Sequence, residues 1–376
     1  MLTWVGASAR VGPEGIPRPM PIPNMFVRAV VSALAVAMLG MSAGAIAWAF
    51  AESREGRPLF GRLGPPRVAP WGLGTMLLVV FTFFMVSGVV QVGYLGVRST
   101  LGWRIGPPPT PRADPTEMKA EKPGTPPSKA KAGPKSDAPA EPLLTVTEMM
   151  FLTLVPYAAL LPLLPWIVLS TSKTRPADLG LSADGLGASV RLGVLSFYLV
   201  VPAVYFVMGL ALLFFRPNAH PLETMVRGEK SPLTVVLAVL SAVVFAPAFE
   251  ELLFRGMLQT WLGRLFRGSA GRKEPEPVLV PVGTELEKGD PSGLDVFEPT
   301  ERDIVRGRRA DLGAVIVTSL LFAAAHGSQM PAPIPLFVLS MALGALYQRT
   351  RNLAAPVALH AMFNGLSTLM LLIATG

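Results

Sequence analysis

The stretch LTVVLAVLSAVVFAPAFEELLFR, residues 233–255, decides the fold. From Leu233 to Phe249 it holds no charge; Glu250 and Glu251 then follow side by side, with Arg255 one turn later. About 20 apolar residues suffice to cross the hydrocarbon core of a bilayer as a helix. In lipid each backbone donor and acceptor must be satisfied within the segment, so such a run takes the helical form. A carboxylate at membrane depth costs about 2.5–3.5 kcal/mol even on insertion scales. Two adjacent ones with an arginine in reach mark a functional site, whose partners belong in other apolar stretches. His326, His360 and Asn364 are the candidates, and two of the chain's three histidines are among them.

The composition agrees. The chain has 376 residues, 51% hydrophobic and 15% charged, where soluble domains carry about 25% charged residues. With a mean hydropathy of +0.48, this describes a polytopic membrane protein. There is no cysteine, which excludes disulfides and thiolate chemistry. The net charge of +8 fits basic residues that flank spans and face anionic lipid. No basic groove interleaved with aromatics and no nucleic-acid motif accompanies it, so no nucleic-acid partner is expected.

Working outward, further apolar runs predict helices at about 26–50, 71–97, 143–170, 190–215, 233–266, 312–326, 333–347 and 353–373. Pro156, Pro162 and Pro165 predict a kink in the third. The first run lacks a small-residue cleavage site and reads as a retained helix. The expected fold is all-α, a polytopic bundle of about eight transmembrane helices. Residues 104–142 are rich in Pro, Lys and Ala with scattered acids, a composition that buries no core and reads as a disordered linker. The chain thus divides into a two-helix front region, 1–103, the linker, and a six-helix domain, 143–376. A charged insertion at 267–311 interrupts that domain. No internal repeat is visible.

The spacing of the polar residues is helical. Glu251 and Arg255 are four apart and share a face; so do Phe322 and His326, and His360 and Asn364. Counted from the helix ends, Glu250 and His326 each lie about 24 Å deep and His360 about 14 Å, at 1.5 Å per residue. A tilt or a broken helix is needed to bring His360 level. Such a set suits hydrolysis. A buried carboxylate acts as general base toward water and a histidine holds or relays the proton. A second histidine and an amide donate to the developing oxyanion. Ser328 follows His326 closely, but no nucleophile elbow supports it. Phe322 and Phe363 read as packing residues, as do the Met and Phe residues of 76–85. His220 has no nearby partner and no assigned role.

Glu250-Glu251-Leu252-Leu253-Phe254-Arg255 resembles the EExxxR motif of the CAAX-protease and bacteriocin-processing (CPBP, or Abi) family of intramembrane proteases. Phe322-Ala323-Ala324-Ala325-His326 resembles its FxxxH motif, and His360-Ala361-Met362-Phe363-Asn364 its HxxxN motif. The three occur in the family's order, and Leu-Gly-Leu at 179–181 also fits. The resemblance covers about residues 144–376, with a longer segment between the first two motifs than is usual. It implies a CPBP-like catalytic core of six helices in a multi-pass protein of a bacterial-type plasma membrane, acting on a type II CAAX prenyl endopeptidase-like pattern. By that resemblance Glu250 activates water with His326, and Glu251 and Arg255 support it. His360 and Asn364 bind the oxyanion.

The resemblance implies a membrane-associated or lipidated peptide or protein as substrate and no cofactor. The alternative is zinc on Glu250, His326 and His360, although the spacing is not HExxH and zinc requires three well-oriented protein ligands plus water. Two non-proteolytic readings remain open at this point. One is a membrane scaffold or chaperone that keeps the fold and an inert polar cage. The other is an ion-coupled transporter using the buried acids as ion sites.

Overall fold

The computed structural model describes residues 25–55, 69–102, 144–172, 174–216, 231–268 and 301–375. His220, the linker at 104–142 and most of the 267–311 insertion lie outside them. Every regular element among the described residues is helical. The long helices are α1 (Met25–Arg54), α2 (Leu73–Thr100), α3 (Val146–Thr171), α4 (Leu186–Ala211), α5 (Pro232–Gly268), α6 (Glu301–Ala325), α7 (Pro333–Thr350) and α8 (Ala354–Thr375). The first five and α8 include stretches long and apolar enough to cross a membrane. The shorter α7 and the charged-ended α6 complete the eight.

One boundary differs from expectation. Residues 301–311, read as part of the polar insertion, open α6 instead. Their Glu, Arg and Ala content is helix-forming, and an already nucleated helix extends at little cost. The prolines of α3 lie inside one continuous helix, as neighbouring helices in a membrane bundle allow.

The front helices pack on the rest of the bundle. Tyr94 of α2 donates a hydrogen bond to Glu148. Glu148 also closes a capping box with Thr145 at the start of α3. Trp71, fully buried just before α2, donates from Nε1 to the carbonyl of Met257 on α5 at 3.3 Å. Arg264 returns the contact, donating from Nη1 to the carbonyls of Ala69 and Trp71. Phe83 of α2 stacks on Phe249 with 5.5 Å between centroids, beside the acidic pair.

Helix α5 is not regular. It is π-helical over Leu240–Phe245 and again over Leu252–Gln259. Wide turns of this kind recur at functional sites. They release carbonyls from the helical ladder, and side chains supply the missing donors. In the first wide turn the N–H of Ala246 goes to Ser241. The next residue, Pro247, has no N–H to give to Ala242, and Asn364 of α8 donates to that carbonyl at 2.9 Å. In the second wide turn Thr260 Oγ1 donates to the carbonyl of Arg255 at 3.1 Å, and Trp71 adds a second donor to the carbonyl of Met257, which also accepts from the N–H of Thr260.

A short 3-10 turn, Pro176–Leu179, sets the level of α8. Leu179 is fully buried, and its carbonyl lies 2.9 Å from where a Cβ on Gly256 would sit. The carbonyl of Gly180 accepts from the N–H of Leu353 at 2.9 Å. The start of α8 is thereby held beside Gly256, twelve residues before the end of α5 at Gly268. Its helix begins deep in the bundle rather than at the surface, and this removes the 10 Å mismatch in depth that simple counting gives His360.

Gly180 has φ +83°, and an added Cβ would meet Tyr347 Cε2 at 2.8 Å. Gly185 has φ +64° with nothing within 4 Å. A left-handed residue with a side chain costs about 1–2 kcal/mol, and overpacking adds about 1–3 kcal/mol. Gly180→Ala should therefore lower the unfolding temperature in detergent markedly more than Gly185→Ala. Equal shifts would show that the turn does not bear on the α7–α8 junction.

Candidate active site

The acidic pair lies between the two wide turns of α5. Because consecutive helical residues point about 100° apart, the two carboxylates meet different surroundings. Glu251 is fully buried between Arg255 and His360. Its Oε2 lies 3.1 Å from Nε of Arg255, itself fully buried, and its Oε1 lies 2.8 Å from Nδ1 of His360. Glu250 keeps 18% of its side chain exposed, and its Oε2 lies 3.8 Å from Nε2 of the same imidazole. One histidine thus stands between both acids, a nitrogen toward each.

Hydrogen-bond logic fixes the tautomers. A carboxylate only accepts, so Nδ1 of His360 carries a proton toward Glu251. Nδ1 of His326 lies 2.8 Å from the carbonyl of Phe322. A carbonyl also only accepts, so this nitrogen carries the proton and Nε2 of a neutral His326 presents a lone pair. Glu250 lies within electrostatic reach of His360, His326, Glu251 and Arg255. These four, with Glu250, are five of the six residues singled out by the motifs. The sixth, Asn364, lies one turn beyond His360, and its amide donates to the Ala242 carbonyl.

Phe322 is the wedge between these groups. Fully buried, its ring lies 4.9 Å from that of His326 and 5.8 Å from that of His360. The guanidinium of Arg255 sits 5.3 Å over its face, and Phe254 meets its edge at 5.2 Å. The packing role read from sequence for Phe322 thus spaces both histidines and covers the cation. Phe363 packs against Tyr205 at 6.0 Å.

Two residues had no motif to announce them. Ser340 of α7 accepts from Nη2 of Arg255 at 3.0 Å. Its only sequence signal is a lone hydroxyl within an apolar run. Tyr157 of α3 is an electrostatic neighbour of Glu250, and its ring lies 5.0 Å from that of Phe249. It was hidden in an apolar helix among prolines.

A resident metal would need at least three convergent ligands. Among the described residues no group of three or more His, Asp or Glu side chains is arranged to hold an ion.

Sequence comparison bears on the same helices. The profile of the type II CAAX prenyl endopeptidase Rce1-like family matches residues 232–283 and 296–366, a stretch that contains all six motif residues. The match lies in the C-terminal region, and there the chain is similar to that family. No curated protein and no solved structure matches the chain. At the level of the family, the Rce1-like match carries a CAAX-type intramembrane protease activity, with a membrane-associated protein as substrate and lipid as surroundings. Together with the apolar helices it describes an integral, multi-pass membrane protein.

The buried ion pair has a thermodynamic signature that needs no substrate. Removing one partner of such a pair strands the other charge and costs about 3–5 kcal/mol, whereas replacing both with apolar residues is often neutral. Arg255→Met alone should strongly destabilise the protein in detergent, and Glu251→Leu/Arg255→Met should recover much of the loss. A double variant as unstable as the sum of the singles would contradict the pairing.

Proposed function

We propose that this protein is an intramembrane endopeptidase that hydrolyses a peptide bond of a membrane-associated or lipidated protein or peptide. The observation that carries the reading is the division of labour within the acidic pair. Glu251 is consumed by Arg255 and His360, whereas Glu250 stays partly exposed and faces a ring nitrogen.

In this reading Glu250 is the general base that takes a proton from water. His326, its Nδ1–H held by the Phe322 carbonyl, offers Nε2 to the same proton. The hydroxide oxygen attacks the carbonyl carbon of the scissile bond, and the carbonyl oxygen becomes an oxyanion. His360, held at Nδ1 by Glu251, turns its Nε2 edge toward that oxygen and donates to it when both ring nitrogens carry protons. Asn364 donates the amide N–H not engaged by Ala242. The proton held by Glu250 then passes to the leaving amine as the C–N bond breaks. Glu251 and Arg255 touch no reacting atom; they hold His360 in orientation, as the carboxylate does in other acid–histidine pairs.

The test is cleavage of a peptide library by detergent-purified protein. Loss of a general base typically costs about 10²–10⁴-fold. Glu250→Ala should lower cleavage by that order while leaving the unfolding temperature near wild type, and a chelator should leave wild-type cleavage intact. Undiminished turnover in Glu250→Ala would overturn the assignment, and cleavage lost to the chelator would favour a metal on Glu250, His326 and His360.

A further inference from the structure

Tyr157 stands near the middle of α3, on the face that meets the acidic part of α5. Its ring lies 5.0 Å from that of Phe249, whose other neighbour, Phe83 of α2, stacks at 5.5 Å. Successive helical residues point about 100° apart, so Glu250 projects between the Phe249 side of α5 and the Glu251 side. The first side carries Tyr157 and the second His360. Glu250 is therefore flanked by a phenol and by an imidazole, and lies within electrostatic reach of both.

The face of α3 that carries Tyr157 changes character there. Leu160 and Leu164, three and seven residues on, have no exposed surface, whereas Thr153, four residues before, is exposed. Tyr157 is half-buried at that boundary. Its hydroxyl has no hydrogen-bond partner among the described residues, and its oxygen is not sealed from solvent. Packing does not need this hydroxyl, because phenylalanine would fill the same place against Phe249. A tyrosine hydroxyl in a protein interior normally finds a partner, and lipid offers it none. An open phenol beside an open carboxylate is satisfied by a partner that arrives with the reaction. A phenol keeps its proton at neutral pH, so it stays a donor while carboxylate and imidazole exchange theirs.

We propose that Tyr157 is a further catalytic residue, whose phenol donates a hydrogen bond to the attacking water and holds it on Glu250. The role deepens the hydrolase reading and rests on it. The water gives one proton to Glu250, turns one lone pair on the scissile carbon and accepts from Tyr157 with the other. Tyr157 transfers no proton. It fixes the direction of the attacking lone pair, which matters because attack requires aligned orbitals at about 3–3.5 Å. His360 and Asn364 take the carbonyl oxygen on the opposite flank, so phenol and imidazole serve different oxygens.

The variant that separates hydroxyl from ring is Tyr157→Phe. It should leave the unfolding temperature and KM for the peptide near wild type and lower kcat by about tenfold, the order of one neutral hydrogen bond. Tyr157→Leu, which also removes the ring from Phe249, should lower the unfolding temperature as well. Unchanged kcat in Tyr157→Phe, beside a wild type that cleaves, would overturn the proposal and leave the protease standing. A second readout needs no cleavage. The chain has five tyrosines, and the Raman ring doublet of Tyr157, which reports the hydrogen bonding of a phenol, is the difference between wild type and Tyr157→Phe. It should show a donating phenol, and Glu250→Ala, which removes the other holder of the water, should weaken that donation. A phenol that donates to nothing, or one indifferent to Glu250, would overturn the proposal whatever the protein cleaves. No cleavage of any peptide by the wild type would reject the protease reading and this role with it.

Discussion

A carboxylate with no exposed surface at membrane depth must be compensated, and the compensation of Glu251 organises this protein. Arg255 lies one turn away on the same helix and takes one oxygen; His360 arrives from α8 and takes the other. Arg255 in turn holds Ser340 on α7 and faces Phe322 on α6. Four helices are therefore tied to one buried charge. Each tie is one that the low dielectric makes costly to break. Glu250 gains its position as a consequence. Its neighbour satisfies the cation, which leaves Glu250 partly open beside an imidazole whose orientation is already fixed.

The same constraint explains the irregular backbone. A regular α5 would bond its own Ala242 carbonyl and offer it to nothing on α8. The first wide turn releases that carbonyl to Asn364, and in the second Thr260 Oγ1 takes the carbonyl of Arg255. Pro247 is the local cause of the first release, because it lacks the N–H that the wide turn would use. The front helices thus bear on α5 directly. Trp71 and Arg264 hold the second wide turn, and Phe83 stacks on the residue before Glu250, although the Rce1-like match does not extend to them.

Much of this was legible in the chain. Uninterrupted apolar runs predict the helices, since lipid permits few other forms, and the lone charges within them point to the cluster. The depth of His360 was not legible, because it depends on a tertiary contact: the carbonyl of Gly180 holding Leu353 beside Gly256. The helical start of α6 was missed because 301–311 was read as part of a charged insertion, when its residue types favour a helix in water as well. Ser340 stayed hidden because a single hydroxyl in an apolar helix carries no motif, and its meaning lies in the helix it meets. The tautomers of the histidines, and so their chemical roles, required carbonyl and carboxylate partners that no spacing predicts.

The central claim is that Glu250 and His360 together face the reacting carbonyl. The most direct measurement is the affinity of a peptide whose scissile bond is replaced by a tetrahedral, non-cleavable hydroxyl-bearing mimic. Such mimics bind about 10²-fold or more tighter than substrate when a site is complementary to the transition state. The account predicts that the mimic outcompetes its parent peptide in the wild type and loses that advantage in both Glu250→Ala and His360→Ala. Equal affinity for mimic and parent, or an advantage kept in either variant, would contradict it.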